Sequence, residues 1–479
     1  MARSPGSDAH APHDVAPSEP SATAAAPSAK RRRRAASDVA GVFGSRATFA
    51  FMGMFTGIVL ARMLGPYDRG VLALVLLLPA TAVTFVKLGI SQANVYLISR
   101  HRIAPEKVAS NSAVLALVLG GVVVAVMWGL RTSLLENVMR GVPTWALAVA
   151  LVRVPLLLLD DYLHGVLQAT GKFFVYNSRL LGGELLRFVL TVVGLLAFGW
   201  GLKAAIIIQT IATIVSVVWL AIAARRDIPF GLRLDREILR PQLGFGAMSY
   251  VQTLTQHALL RSSVYMVSYF VGTKETAFYS LALHFTEMVM EFPQAVGLVL
   301  YPRLAALPEA QMHRMTAEAC RRTVLVTSLA AVAIALVGPY LIVLWYGEPY
   351  APAGQPLAWA ALGASALSIF VILTRPFTSR NRQHVNIAVG LVALVSNVAL
   401  NIYLIPIYGI VGAACAAALA YSAACVLLIV LYSKYSGLSP VDLLVPRKED
   451  IVYLWNTTLD VTRRAVARLP IGKKGRKAQ

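Results

Sequence analysis

The chain has 479 residues, 57% of them hydrophobic and only 14% charged, against about half and about a quarter in an ordinary soluble domain. So few charges cannot coat a water-soluble surface, and apolar runs of about twenty residues recur from residue 38 to 433, each long enough to cross a hydrocarbon core of about 30 Å. The net charge of +21 would suggest nucleic acid as the partner of a soluble protein. Here the bases sit in the tails and in alternate loops, and no nucleic-acid-binding module is visible.

Residues 1–37 are rich in Ala, Pro and Ser and carry the run Lys30-Arg31-Arg32-Arg33-Arg34 with no apolar stretch ahead of it. They read as a disordered basic cytoplasmic tail, not a cleaved signal peptide. Hydropathy then predicts helices over 39–60, 70–98, 109–130, 142–168, 178–199 and 202–224, an amino-terminal lobe over 38–224. A polar linker, 225–240, leads to helices over 243–271, 275–304, 323–346, 356–377, 385–405 and 409–433, a carboxy-terminal lobe over 241–433. In the basic tail, 434–479, Ile451, Trp455, Leu459 and Val466 fall near one helical face beside Arg463, Arg464 and Arg468. That pattern predicts a helix lying in the plane of the membrane on anionic inner-leaflet lipids.

Most of the loop Lys and Arg residues, among them Arg100, Arg102, Lys172, Arg179, Arg225, Arg226, Arg321, Arg322, Arg375, Arg380 and Arg382, fall on one side. The asymmetry predicts both termini in the cytoplasm. The three cysteines, Cys320, Cys415 and Cys425, give neither a disulfide framework nor a metal spacing.

An internal repeat divides the chain. The stretch Leu64-Gly65-Pro66-Tyr67-Asp68-Arg69-Gly70 between the first two helices parallels Val271-Gly272-Thr273-Lys274-Glu275-Thr276-Ala277 between the seventh and eighth, about 207 residues on. Gly201-Leu202-Lys203-Ala204-Ala205 parallels Gly409-Ile410-Val411-Gly412-Ala413 at almost the same offset. Six helices per copy, an even number, make the repeats parallel, with two lobes about a central cleft. The fold class is therefore an all-α polytopic membrane protein of about twelve transmembrane helices.

Several motifs together resemble the Wzx-type oligosaccharide flippases of the MOP superfamily, whose fold is MATE-like. They are Ala61-Arg62-Met63-Leu64-Gly65-Pro66 with Arg69-Gly70, Phe278-Tyr279-Ser280, Pro293-Gln294-Ala295-Val296-Gly297, Tyr301-Pro302-Arg303-Leu304, Tyr346-Gly347-Glu348, and Asn397 through Asn401 with Ile405-Pro406-Ile407-Tyr408-Gly409. The resemblance implies a bacterial inner-membrane protein that moves undecaprenyl-diphosphate-linked oligosaccharide from the cytoplasmic to the periplasmic leaflet for exopolysaccharide or O-antigen assembly. Polysaccharide polymerases and other assembly proteins would be its partners. Lipid II flippases are similar in fold, but usually have two further helices and carry arginines near the outer end of the first helix, where this chain has Ala50 and Thr56. A multidrug antiporter of the same superfamily is the other alternative.

Charges inside membrane spans are costly and need a partner, a wet cavity or a function. In the implied fold the first, second, seventh and eighth helices line the cleft, which makes Arg46, Lys87 and Arg261 the candidates for gripping a diphosphate. His257, His284, Glu287 and Glu291, with Asp160 and Asp161 of the fourth helix, are candidates for a polar cleft or for coupling to a proton or sodium ion. Pairing is the competing reading: Arg261 with Glu287, Glu184 with Arg187, Arg153 with Asp160. Asn397 and Asn401 share a face suited to interhelical hydrogen bonds. The longest outer loops, 131–141 and 347–355, are too small to build a catalytic site, and no nucleophile, carboxylate or metal constellation appears. An enzyme is not expected, nor a cofactor.

Overall fold

A computed structural model describes residues 29–244 and 247–456; for residues 29–51, 173, 176, 197 and 247–249 only the backbone is described. The basic tail up to residue 28 and the amphipathic stretch from residue 457, with Leu459, Arg463, Arg464, Val466 and Arg468, lie outside the described residues. The chain forms two compact units, Met1–Ala47 and Thr48–Gln479. The first is described only as the helical backbone that opens α1, and everything below concerns the second. Among the described residues the structure is helical and no strand is present.

α1 (Ala29–Val86) is two helices joined at Gly65, whose backbone (φ 73°, ψ 173°) reverses the chain in a conformation a side chain would strain. Pro66, with its φ already fixed, starts the second of them. The chain continues through α2 (Ile90–Ser99), α3 (Pro105–Gly129), the single turn α4 (Arg131–Ser133) with a π-helical turn after it, α5 (Thr144–Ala169), α6 (Phe173–Val192) and α7 (Leu202–Asp227). A short helix, α8 (Arg236–Gly244), lies in the expected linker, and then come α9 (Ala247–Phe270), α10 (Thr273–Ala306), α11 (Glu309–Tyr346) and α12 (Gly354–Ser379). α13 (Gln383–Ser436) repeats the device of α1, folding back at Gly409 (φ 57°, ψ −135°), and α14 (Pro440–Leu444) follows.

Among the described residues, six helical stretches are long and apolar enough to cross a membrane: Met52–Val86, Pro105–Gly129, Leu202–Asp227, Glu309–Tyr346, Glu348–Ser379 and Gln383–Ser436. The long helices that fall short, α5, α6, α9 and α10, are the ones that carry the interior charges and polar runs. Outward-facing residues are apolar, with Leu329, Leu336 and Leu344 on α11 each more than 60% exposed. A surface of that kind is stable only against lipid tails. This is a multi-pass membrane protein.

The buried apolar residues fall into separate cores. One is built from residues 60–239, around Leu72, Leu147, Leu158 and Tyr162. Another lies within 259–444, around Ile372, Leu428 and Tyr432. α3, α2 and α7 pack on α5 in the first, and α11, α10 and α13 pack on α12 in the second. Buried amides pin α8 to the first core: Gln242 donates to Asn94 Oδ1 at 2.8 Å, and Asn111 both donates to the Asp235 carbonyl and accepts from its N–H.

Three expectations change. The second helix is interrupted, because Leu88 (φ 49°) and Gly89 (φ 70°) end α1 at Val86, and α2 begins only at Ile90. α11 begins at Glu309 instead of 323, so Arg321 and Arg322 lie in a helix, held by Asp450, and not in a loop. Arg375, counted among the loop bases although the predicted span 356–377 contains it, lies inside α12 and packs over Gly297.

Candidate functional site

The interruption at Lys87 sets the site. Positive φ at Leu88 and Gly89 takes the backbone out of the helical ladder immediately after Lys87. Its ammonium reaches α5 there and pairs with Asp161 Oδ1 at 3.4 Å, both side chains remaining partly exposed. On the same helix Asp160 pairs with Arg179 of α6 at 2.5 Å, and one turn further along α6 Glu184 pairs with Arg187 at 2.7 Å. The expected Arg153 to Asp160 pair is not made. Arg179, from the next helix, takes the carboxylate, and Arg153 is buried with Nε and one terminal nitrogen unpartnered.

Across from this group, Arg261 on α9 pairs with Glu287 on α10 at 2.8 Å, and the pair is substantially open, with 33% and 49% of the side chains exposed. His284, one turn from Glu287, is half-buried within electrostatic reach of Glu287, Arg69 and Arg261, and Glu291 is exposed. The side chain of Arg46 lies outside the described residues. No group of three His, Cys, Asp or Glu suited to a metal occurs among the described residues.

Thr81 brings the two groups together, and nothing in its sequence context marks it. Its hydroxyl accepts from Tyr265 at 2.9 Å and meets His257 Nε2 at 3.2 Å, while Tyr250 donates to the Phe85 carbonyl. Tyr250, His257 and Tyr265 are spaced close to whole helical turns and so line one face of α9. That face lies along the last turns of α1, just ahead of Lys87. This polar face of α9 therefore lies against another helix. Asn397 and Asn401 also bond between helices: Asn397 Oδ1 accepts from Ser262 and Ser263, and Asn401 donates to Ser263 at 3.0 Å.

At the Gly65 end the same helices are fastened shut. Arg62 donates to the carbonyls of Trp345 and Leu344 at 2.7 and 2.6 Å, Tyr350 donates to the Ala61 carbonyl at 3.0 Å, and Thr273 donates to the Arg140 carbonyl. Ala61, Phe278, Phe285, Ile342, Tyr346 and Leu357 form a buried apolar plug beneath these bonds. Gly70 lies against Thr273 so closely that a Cβ would fall 1.9 Å from the Thr273 carbonyl oxygen.

The arrangement is one of paired charges between packed helices beneath a closed end, and charges held within a membrane need such partners, a wet cavity or a function. Residues 59–355 match a family described as polysaccharide biosynthesis protein. The chain belongs to that family. A candidate O-antigen transporter of Shigella flexneri is 22% identical over 274 residues, which are 54% of this chain and 63% of that protein. Among solved structures, an inward-facing multidrug resistance MATE family transporter of the MOP superfamily superposes with a TM-score of 0.67 at 16% identity, covering 81% of this chain and 94% of that one. A lipid II flippase in an inward closed conformation gives 0.69 at 13% identity, covering 87% and 92%. The fold is thus that of the MOP superfamily, as the motifs imply.

Proposed function

We propose that this protein is a flippase that carries undecaprenyl-diphosphate-linked oligosaccharide from the cytoplasmic to the outer leaflet of the bacterial plasma membrane. Two lobes of six helices each, about twelve spans in all, rock by alternating access about the Thr81 contact, with both termini in the cytoplasm. The observation that carries this reading is that Lys87, in the break between α1 and α2, and Arg261, on α9, are each neutralised by a carboxylate that stays partly exposed. A diphosphate carries more negative charge and more acceptor oxygens than a single carboxylate, and it can displace Asp161 and Glu287 from these cations while shedding its own water.

Family membership and the Shigella relative support polysaccharide as the cargo class. Carboxylates released by the cargo, Asp161 and Glu287 with Asp160 and Glu291 beside them, are the groups that would take up a coupling proton or sodium ion. Cationic drugs suit this site poorly, since its helices present cations as well as acids. The carboxy-terminal tail rests on anionic inner-leaflet lipids, and glycan polymerases and other assembly proteins receive the cargo.

The test is the leaflet distribution of lipid-linked oligosaccharide in cells depleted of the protein, read with an impermeant glycan-modifying reagent. Cargo accumulating out of the reagent's reach is expected. A normal distribution in cells with no second flippase overturns the reading in favour of drug export.

A further inference from the structure

An open pocket of about 450 Å³ lies between the α12–α13 turn and the last turns of α13, at the end of the helices where the basic loops gather. Its rim carries Arg382, His384 and Lys434, all exposed, and its wall carries Phe377, Val385 and Leu431. The two sets are layered. Phe377 stands before the Arg380-Asn381-Arg382 turn, Val385 just after it, and Leu431 one helical turn ahead of Lys434, so every helix turns from cationic to apolar on going into the membrane.

None of the three rim cations forms an ion pair or a side-chain hydrogen bond to another described residue. Arg382 lies over the Tyr435 ring at 4.5 Å, which orients its guanidinium without using its N–H groups. Glu309, which lines the adjoining cavity with Arg382, accepts from the Tyr435 hydroxyl at 2.6 Å and lies within electrostatic reach of Arg382 without forming an ion pair with it. Beyond the wall, Ala388, Leu391, Val392 and Val395 continue along one exposed face of α13 at helical spacing. That face leads from the rim straight into the hydrocarbon.

We propose that this cavity is a binding site for one anionic phospholipid, its phosphate held by Arg382, His384 and Lys434 and its acyl chain laid on the apolar wall and the Ala388 to Val395 stripe. A basic pocket between membrane helices has the chemistry for an anionic headgroup, and the apolar wall is what selects a lipid over a free phosphate. The site is remote from Lys87 and Arg261 in sequence and does not depend on the flippase reading.

The experiment is native mass spectrometry and thermal unfolding of the purified full-length protein, loaded with phosphatidylglycerol or with phosphatidylcholine. Wild type retains phosphatidylglycerol preferentially and gains stability from it. The variant Arg382→Gln/His384→Gln/Lys434→Gln, whose changes are all at exposed positions, loses that preference, by about fivefold for each Arg or Lys removed. Ala388→Trp keeps every charge but fills the wall, and it lowers retention as well. Equal retention by the triple variant overturns the proposal. Stabilisation of wild type by inorganic phosphate alone, matching that by phosphatidylglycerol, overturns the assignment to a lipid.

Discussion

Gly70 and Thr273 meet backbone to backbone, with room for a hydrogen but not for a methyl group between the Gly70 α-carbon and the Thr273 carbonyl. Because this contact closes the Gly65 end, Gly70→Ala wedges that end open without touching Lys87 or Arg261. Overpacking of this kind costs about 1–3 kcal/mol. A cysteine placed at Phe278, beneath the seal, becomes reactive toward an impermeant thiol reagent in the Gly70→Ala background and stays protected with Gly70 present. Unchanged protection would mean that the contact does not hold the end shut.

Removing the Tyr350 hydroxyl with Tyr350→Phe deletes the bond to the Ala61 carbonyl in a buried setting. The expected effect is about 1 kcal/mol against the closed end. It is read in the same thiol assay as a shift of a few-fold, smaller than that of Gly70→Ala.

Lys87→Ala and Arg261→Ala each remove a cation proposed to receive the diphosphate and strand a carboxylate. Transport of lipid-linked oligosaccharide is expected to fall at least about tenfold, a loss of about 1.4 kcal/mol of binding at each site. Arg46→Ala belongs in the same series. Full transport in all three variants, with expression verified, takes these residues off the substrate path. Glu287→Gln separates pairing from coupling: it leaves Arg261 available to the cargo but removes a titratable group, so its transport loses dependence on the coupling ion if Glu287 is the coupling carboxylate.

Asp450 fastens the carboxy-terminal segment to α11. It accepts from Arg321 at 2.7 Å, from Arg322 at 2.8 Å and from the Arg447 backbone N–H at 3.1 Å. Burial alone would raise its carboxyl pKa. The Arg321, Arg447 and Arg322 contacts outweigh burial and hold it below the usual carboxylate range. A carboxyl lowered on folding stabilises above its unfolded pKa of about 3.9 and loses that contribution as pH falls through the folded value. Docking of residues 448–456 is therefore constant from pH 8 to about pH 5 and weakens only below about pH 4. Asp450→Asn releases the segment at neutral pH, at a cost of about 3 kcal/mol for a buried pair broken on one side. Hydrogen exchange of that segment distinguishes the two.

What helical spacing could encode was legible. Glu184 with Arg187 and Asn397 with Asn401 share faces at three and four residues, and both contacts are made. Arg261 with Glu287, opposite charges on consecutive helices, was one of two readings open in the sequence, and the pair is made. Contacts set by tertiary placement were not legible. Asp160 takes Arg179 over Arg153, because α6 comes closer than the next two turns of α5. The break after Lys87 depends on positive φ at Leu88, a residue type that gives no sign of it. Thr81 is one hydroxyl in an apolar run, and its place between His257 and Tyr265 follows only from how α9 lies on α1.

The pairing of Lys87 with Asp161 and of Arg261 with Glu287 also bears on the electrical work of the transport cycle. Moving one elementary charge through a membrane potential exchanges about 2.3 kcal/mol per 100 mV. In the alternating-access reading, the empty protein returns with both cations already neutralised, and these pairs contribute nothing to that work. The loaded protein carries the diphosphate's charge together with whatever its released carboxylates have bound. With those carboxylates still ionised, voltage acts on the loaded step alone; with a proton on each, the loaded site is as neutral as the empty one and voltage acts on neither.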